Sequence, residues 1–206
     1  MISQKDAWDD LYRTQSRPWR GTISNRIPFP FSKNDKILDI GCGNGKSSCA
    51  LMEEGYDVTG IDISDIAVQI CNERYGNRMK AVTASITNIP VPDREFGGAV
   101  MIHVLEHLDN DDIEDSVKEI RRVIRPSGKV FVRVFHKDDM RSDNGKMMGG
   151  TVIKGNGIMY RYYDETELRD VFSDFSEVAM KRIDETTKFG KIRSRIEAVF
   201  EVTRCT

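Results

Sequence analysis

Asp39, Gly41, Gly43 and Gly45 stand at strict two-residue spacing where an apolar run, Lys36 to Ile40, gives way to a helix-forming stretch. Glycine alone tolerates positive φ and lets bare backbone approach a ligand closely. The helix that follows offers unpaired N–H groups to a carboxylate, hydroxyl or phosphate. A second apolar run, Tyr56 to Ile63, carries Asp62 near its end, where a carboxylate accepts the two hydroxyls of a ribose. Together these residues are suited to holding a nucleoside, without choosing which one.

Spacing separates the nucleotide readings. A dinucleotide fingerprint would need glycine where Lys46 stands, and a phosphate-binding P-loop ending in Gly45-Lys46-Ser47 would need glycine at Ile40. A second set of reactive side chains lies further on: His103, Glu106, His107 and His136. Imidazoles after a strand can take a proton, and His103 and His136 are the candidate catalytic bases. The run His103 to His107 also spells HxxEH, a zinc-protease pattern, but that chemistry needs one helical turn and this segment starts on a buried strand.

Elements that would position these groups follow from periodicity. Apolar runs at 36–40, 57–62, 80–83, 98–103 and 129–135 alternate with helix-length stretches, which predicts parallel strands joined by helical crossovers. Ile113, Val117, Ile120 and Ile124 form one stripe, with acids at the start and arginines at the end, so 110–124 reads as an amphipathic helix aligned with its dipole. Asp164 and Glu167 form a capping-box pattern for a helix through about Phe172. Residues 177–183 and 196–203 read as closing strands, and 137–158 as a long loop after the fifth strand. In such sheets ligands bind beyond the carboxyl ends of the strands, which puts all three histidines on the cofactor side.

With Asp39-x-Gly41-x-Gly43-x-Gly45 and the segments Ala84 to Pro90, Val104 to Leu108 and Arg122 to Val130, residues 36–135 resemble the class I S-adenosylmethionine-dependent methyltransferases. The resemblance implies a doubly wound, mostly parallel seven-stranded α/β sheet with helices on both faces and an antiparallel last strand. It implies S-adenosylmethionine, with product S-adenosylhomocysteine, held by Asp39, Gly41, Cys42, Gly43, Gly45, Asp62, Ile63, Ser85, Ile86 and His103. Many relatives carry an acid at the position of Ser85, so here the adenine contact would fall to its hydroxyl or to backbone at Ile86. Trp8, Tyr12 and the segment Arg17 to Gly21 resemble the N-terminal cover of small-molecule methyltransferases, with Trp19 walling the cavity and Arg20 reaching the cofactor carboxylate. Some O-methylating members hold a divalent ion with an ExxEH segment; Glu106 and His107 match it and His103 replaces its first acid, and a metal-free enzyme is the expectation.

The 206 residues suffice for one α/β core, divided as an N-terminal cover (1–35), a cofactor core (36–135) and a substrate-side part (136–206). With 39% hydrophobic residues, 31% charged residues and net charge −2, nothing favours nonspecific binding to nucleic acid or membrane. Cys42, Cys49, Cys71 and Cys205 lack zinc-site spacing and read as reduced thiols of a cytoplasmic protein. No apolar run of signal length stands at Met1 to Trp8, so neither export nor membrane anchoring is expected. The expected activity is methyl transfer to a small thiol, hydroxyl, amine or metalloid. Arg161-Tyr162-Tyr163, expected at the pocket, resembles wobble-uridine tRNA methyltransferases and keeps tRNA as an alternative; a non-catalytic cofactor sensor or partner subunit is the other.

Overall fold

The computed structural model describes residues 3–15, 29–142, 146–148 and 151–203. An N-terminal helix α1 (Gln4–Thr14) is capped by Ser3, whose hydroxyl accepts from the Asp6 N–H at 3.1 Å. The chain then alternates through β1 (Lys36–Ile40), α2 (Lys46–Glu53), β2 (Asp57–Asp62), α3 (Asp65–Tyr75), β3 (Lys80–Thr83), β4 (Phe96–Ile102), α4 (Asn110–Val123) and β5 (Ile124–Phe135). After an excursion it closes with α5 (Glu165–Val171), β9 (Phe175–Thr186) and β10 (Ile192–Val202).

The seven strands lie in the order β3-β2-β1-β4-β5-β10-β9. The first five run parallel, and β10 is antiparallel to both β5 and β9. Winding reverses between β1 and β4, which opens a crevice beyond their carboxyl ends. Strands buried on both faces need apolar residues at nearly every position, and β1 and β4 have them. On one face α4 and α5 bury Val117, Ile120, Leu168 and Phe172 against Leu38, Met101 and Val132. On the other, α2 and α3 bury Leu51, Val68 and Cys71 against Ile37, Val58 and Phe131. The stripe on α4 and the capping box at Asp164 and Glu167 form as the sequence predicts.

The structure departs from the sequence reading at several places, the closing strands running longer than 177–183 and 196–203 among them. Strand β5 starts at Ile124, because the turn around Ser127 (φ 61°) bulges out of a continuous pairing with β4. Strand β4 ends at Ile102, since His103 takes a left-handed φ of 59°. The 137–158 segment, predicted as a loop, builds a small antiparallel sheet of β6 (Lys146–Met148), β7 (Thr151–Ile153) and β8 (Met159–Tyr160). Strands of two or three residues are too short to show alternation, so periodicity gave no signal for them. Val152, Ile158 and Tyr160 of this excursion pack against Ala7, Trp8 and Leu11 of α1, forming a third apolar cluster above the crevice. No helix among the described residues is long and apolar enough to cross a membrane.

Candidate active site

A cavity of about 760 Å³ lies beyond the carboxyl ends of β1, β2, β4 and β5. Its floor is the turn from β1 into α2. There Gly41 and Gly43 take φ of 67° and 52°, and a Cβ on them would stand 2.5 Å from Val104 Cγ2 and 2.4 Å from Tyr12 Oη. Neighbouring side chains therefore require glycine at these positions before any ligand enters. Gly45 caps α2, with its N–H on the Cys42 carbonyl at 2.8 Å. The Cys42 thiol packs against Gly60 of β2, so its contribution to the floor is backbone.

Asp62 projects half-buried into the same cavity, with Oδ2 accepting from the Gly43 N–H (2.8 Å) and Oδ1 from the Ser64 N–H (2.9 Å). Each oxygen keeps a second lone pair for a ribose hydroxyl. Burial raises its pKa above the ordinary carboxylate value, partly offset by those N–H groups. Ile63, exposed at 38%, and Ser85 and Ile86 line the wall beside it. The Ser85 hydroxyl is engaged locally, accepting from the Thr87 N–H at 3.2 Å. These groups, with a floor kept clear of side chains, fit a nucleoside cofactor.

Asp39 is placed differently from the sequence reading. Fully buried, it does not line the cavity: its Oδ2 accepts from the Ser47 and Ser48 hydroxyls at 2.7 and 2.5 Å, tying β1 to the first turn of α2. Oδ1 has no hydrogen-bond partner among the described residues, and burial pushes the pKa up to about 6.

His103 lines the cavity and stacks on Phe135, with ring centroids 4.0 Å apart. Its Nδ1 lies 2.8 Å from Glu106 Oε1, which also accepts the Phe135 N–H at 2.9 Å. That oxygen is thereby an acceptor, which assigns the proton of the neutral imidazole to Nδ1 and its lone pair to Nε2. Glu106 itself is completely buried, and its Oε2 has no hydrogen-bond partner among the described residues. His107 is held by the Met159 carbonyl (2.7 Å) between the rings of Trp8 and Tyr160. Burial lowers its pKa, which keeps it neutral near pH 7.

His136 is not brought to the cavity. Side chains alternate along a strand, so with Phe135 facing the cavity, His136 turns to the opposite side, where Nδ1 accepts from the Asp138 N–H at 3.0 Å and Nε2 lies 3.6 Å from Glu165. Arg161, Tyr162 and Tyr163 also miss it; the Tyr162 and Tyr163 hydroxyls go to the carbonyls of Arg141 and Leu105, and Tyr160 takes the place at the wall. Glu106 and His107 point to different partners, and among the described residues no group of three or more His, Cys, Asp or Glu is placed to hold a metal ion. Trp19, Arg20 and Cys205 lie outside the described residues.

Sequence reasoning missed Arg133 and Phe135, which line the cavity from β5. Their signal was the alternation of Arg133 and Phe135 at the end of a strand.

Residues 38–132 match a protein family described as a methyltransferase domain. That segment is thus a methyltransferase domain, of the kind the sequence resembles. It is 34% identical over 123 residues to a demethylmenaquinone methyltransferase of Tropheryma whipplei, covering 59% of this chain and 49% of the relative. A sterol 4-C-methyltransferase of Caenorhabditis elegans is 34% identical over 119 residues, 55% of this chain and 35% of that one. The chain thus spans half or less of the length of these relatives. In fold, the chain resembles the 1,6-didemethyltoxoflavin-N1-methyltransferase of Burkholderia thailandensis, solved with 1,6-didemethyltoxoflavin and S-adenosylhomocysteine bound. That likeness has a TM-score of 0.67 at 20% identity and covers 98% of this chain and 78% of the other.

Proposed function

We propose that this chain transfers the methyl group of S-adenosylmethionine to a small-molecule acceptor. The observation that carries the reading is one cavity in which Asp62 beside the glycine turn and His103 at the end of β4 both take part. Gly41, Cys42 and Gly43 would offer backbone to the cofactor, Asp62 its ribose contacts, and Ile63, Ser85 and Ile86 the adenine wall. Asp39 and Gly45 act one layer behind, holding the turn on α2. When bound, S-adenosylmethionine supplies an electrophilic methyl carbon.

The protein's share is alignment of a nucleophile and exclusion of water. Trp8, Tyr12, Met159 and Tyr160 roof the cavity and leave about 760 Å³ for cofactor and acceptor together, which supports a small acceptor over a folded RNA. A thiolate or amine reacts without a base. A hydroxyl nucleophile would pass its proton to His103 Nε2, with Glu106 fixing the ring.

Calorimetry with S-adenosylhomocysteine tests the cofactor site: Asp62→Asn, if folded, should bind at least about tenfold more weakly, since two hydrogen bonds to a charged oxygen pair are altered. Unchanged affinity would remove Asp62 from the site. Labelled S-adenosylmethionine offered with thiols, phenols, amines and bulk tRNA tests the acceptor class. Transfer to tRNA alone would overturn the small-molecule reading, and binding without any transfer would make the protein a sensor.

A further inference from the structure

The charged residues of the cavity wall come from different elements. Asp62 stands at the end of β2 and Asp109 and Asp112 at the start of α4, and the Arg141–Asp139 pair stands as an internally compensated ion pair. The end formed by α2, β5 and the β9–β10 hairpin is lined by Lys46, Arg133, Arg193 and Arg195 against the acid Glu185, with Arg133 close enough to Lys46 and Arg195 to act on both. We propose that this cationic end binds an oxyanion, a carboxylate or a phosphate, carried by the methyl acceptor. The inference rests on the methyl-transfer reading above and names the acceptor class for that same site.

Ion pairing leaves the excess in place. Glu185 sits across from Arg193 in the β9–β10 register, yet both its oxygens are taken by Arg195 at 2.8 and 2.9 Å. Behind them Glu197 is shared by Arg133 (2.6 Å), Lys181 (3.1 Å) and, more distantly, Arg195 (3.7 Å). Lys46 and Arg193 have no ion pair among the described residues, and Arg133 Nε is buried with no hydrogen-bond partner among them, whereas Arg195 Nε reaches Glu197 only at 3.7 Å. Burial and the nearby Arg133 charge lower the Lys46 pKa, the sign expected of a cation lacking its counter-ion. A planar guanidinium presents donors in the fork geometry of a carboxylate or phosphate.

Two features assign the anion to the acceptor instead of the cofactor. S-adenosylmethionine carries a sulfonium and an ammonium against one carboxylate, so its arrival adds positive charge to the cavity. The cationic end also adjoins the proposed base, because the His103 N–H donates to the Arg133 carbonyl at 2.9 Å. An acceptor anchored there by its anion would present its nucleophile beside His103.

The test uses the S-adenosylhomocysteine-loaded protein at low ionic strength, where charge contacts are least screened. Benzoate and phenyl phosphate are compared with neutral benzamide by calorimetry. At least one anion should bind about tenfold or more tightly than benzamide, as charge-assisted bonds require. Lys46→Gln and the exposed Arg193→Gln should each erase most of that difference while leaving S-adenosylhomocysteine affinity within about twofold. Equal binding of anions and benzamide, or no anion binding at millimolar concentration, would overturn the proposal. Weakened S-adenosylhomocysteine binding in both variants would overturn it too, by reassigning the cations to the cofactor's carboxylate. Cofactor binding by the unaltered protein is read separately, so failure here is distinguishable from failure of the methyltransferase reading.

Discussion

Glu106 has no room to act on a substrate directly: it is completely buried, and Oε1 is occupied by His103 Nδ1 and the Phe135 N–H. Its effect must pass through the imidazole, which makes it a positioning residue. His103→Ala should lower kcat for a hydroxyl acceptor by about 100-fold or more, the usual contribution of a general base, and leave a thiol acceptor nearly unaffected. Glu106→Gln keeps the shape but removes the charge that orders the Nδ1 proton, so it should lower kcat on the hydroxyl acceptor with little change in KM. Equal losses on thiol and hydroxyl acceptors in either variant would mean that the pair is structural. The positive φ of His103 fits a site residue, since left-handed backbone outside glycine is held in place by its surroundings.

At the level of elements, α1 and the small β6–β8 sheet form one roof in two pieces. The Gln4 side chain joins them, donating from Nε2 to the Gly157 carbonyl (3.0 Å) and accepting at Oε1 from the Met159 N–H (3.1 Å). Asp9 anchors the same helix to the start of α3 through the Ser64 hydroxyl at 2.6 Å. Closure over ligand should therefore order both pieces together. Hydrogen exchange is expected to slow in residues 4–14 and 151–160 on addition of S-adenosylhomocysteine, and Gln4→Ala should keep the first effect and lose most of the second. Protection limited to the glycine turn would show that the roof does not respond to the cofactor.

Over the whole molecule, stability couples to ligand and to pH. A ligand at 100 times its Kd stabilises by about 2.7 kcal/mol, which for a chain of this size raises Tm by about 5–10 °C. The pH term has a defined sign at Asp39. Its folded pKa of about 6 exceeds the unfolded value of 3.8, so the native state holds the extra proton and this group's contribution to stability falls as pH rises through that interval. Asp62 acts in the same direction, whereas paired acids such as Asp139 and Glu197, with lowered values, act in the opposite one. The difference between variants isolates the term: Asp39→Asn should gain on the order of 2–3 kcal/mol relative to the parent between pH 4 and 6.5. A flat difference in thermal melts across that range would show that Asp39 is ionised at ordinary cost.

The alternation of parallel strands and helices, and the glycine turn with Asp62 at the next strand end, were legible in the sequence because they are local: strand runs, helix stripes, caps and loop spacing are written in neighbouring residues, whereas the antiparallel closing strand was legible only through the family resemblance. The sequence could not decide which side chains of that frame reach the cavity. Asp39 belongs to the motif yet serves α2, because Ser47 and Ser48 meet it only once the turn is folded. His136 has the right strand end but the wrong parity, and that was settled by Phe135 taking the cavity side. The small sheet over the cavity, the Gln4 link and the gathering of Lys46, Arg133, Arg193 and Arg195 join residues far apart in the chain. Such juxtapositions depend on strand order and register, which arise from packing the whole sheet and leave no periodic trace in the segments that contribute to them.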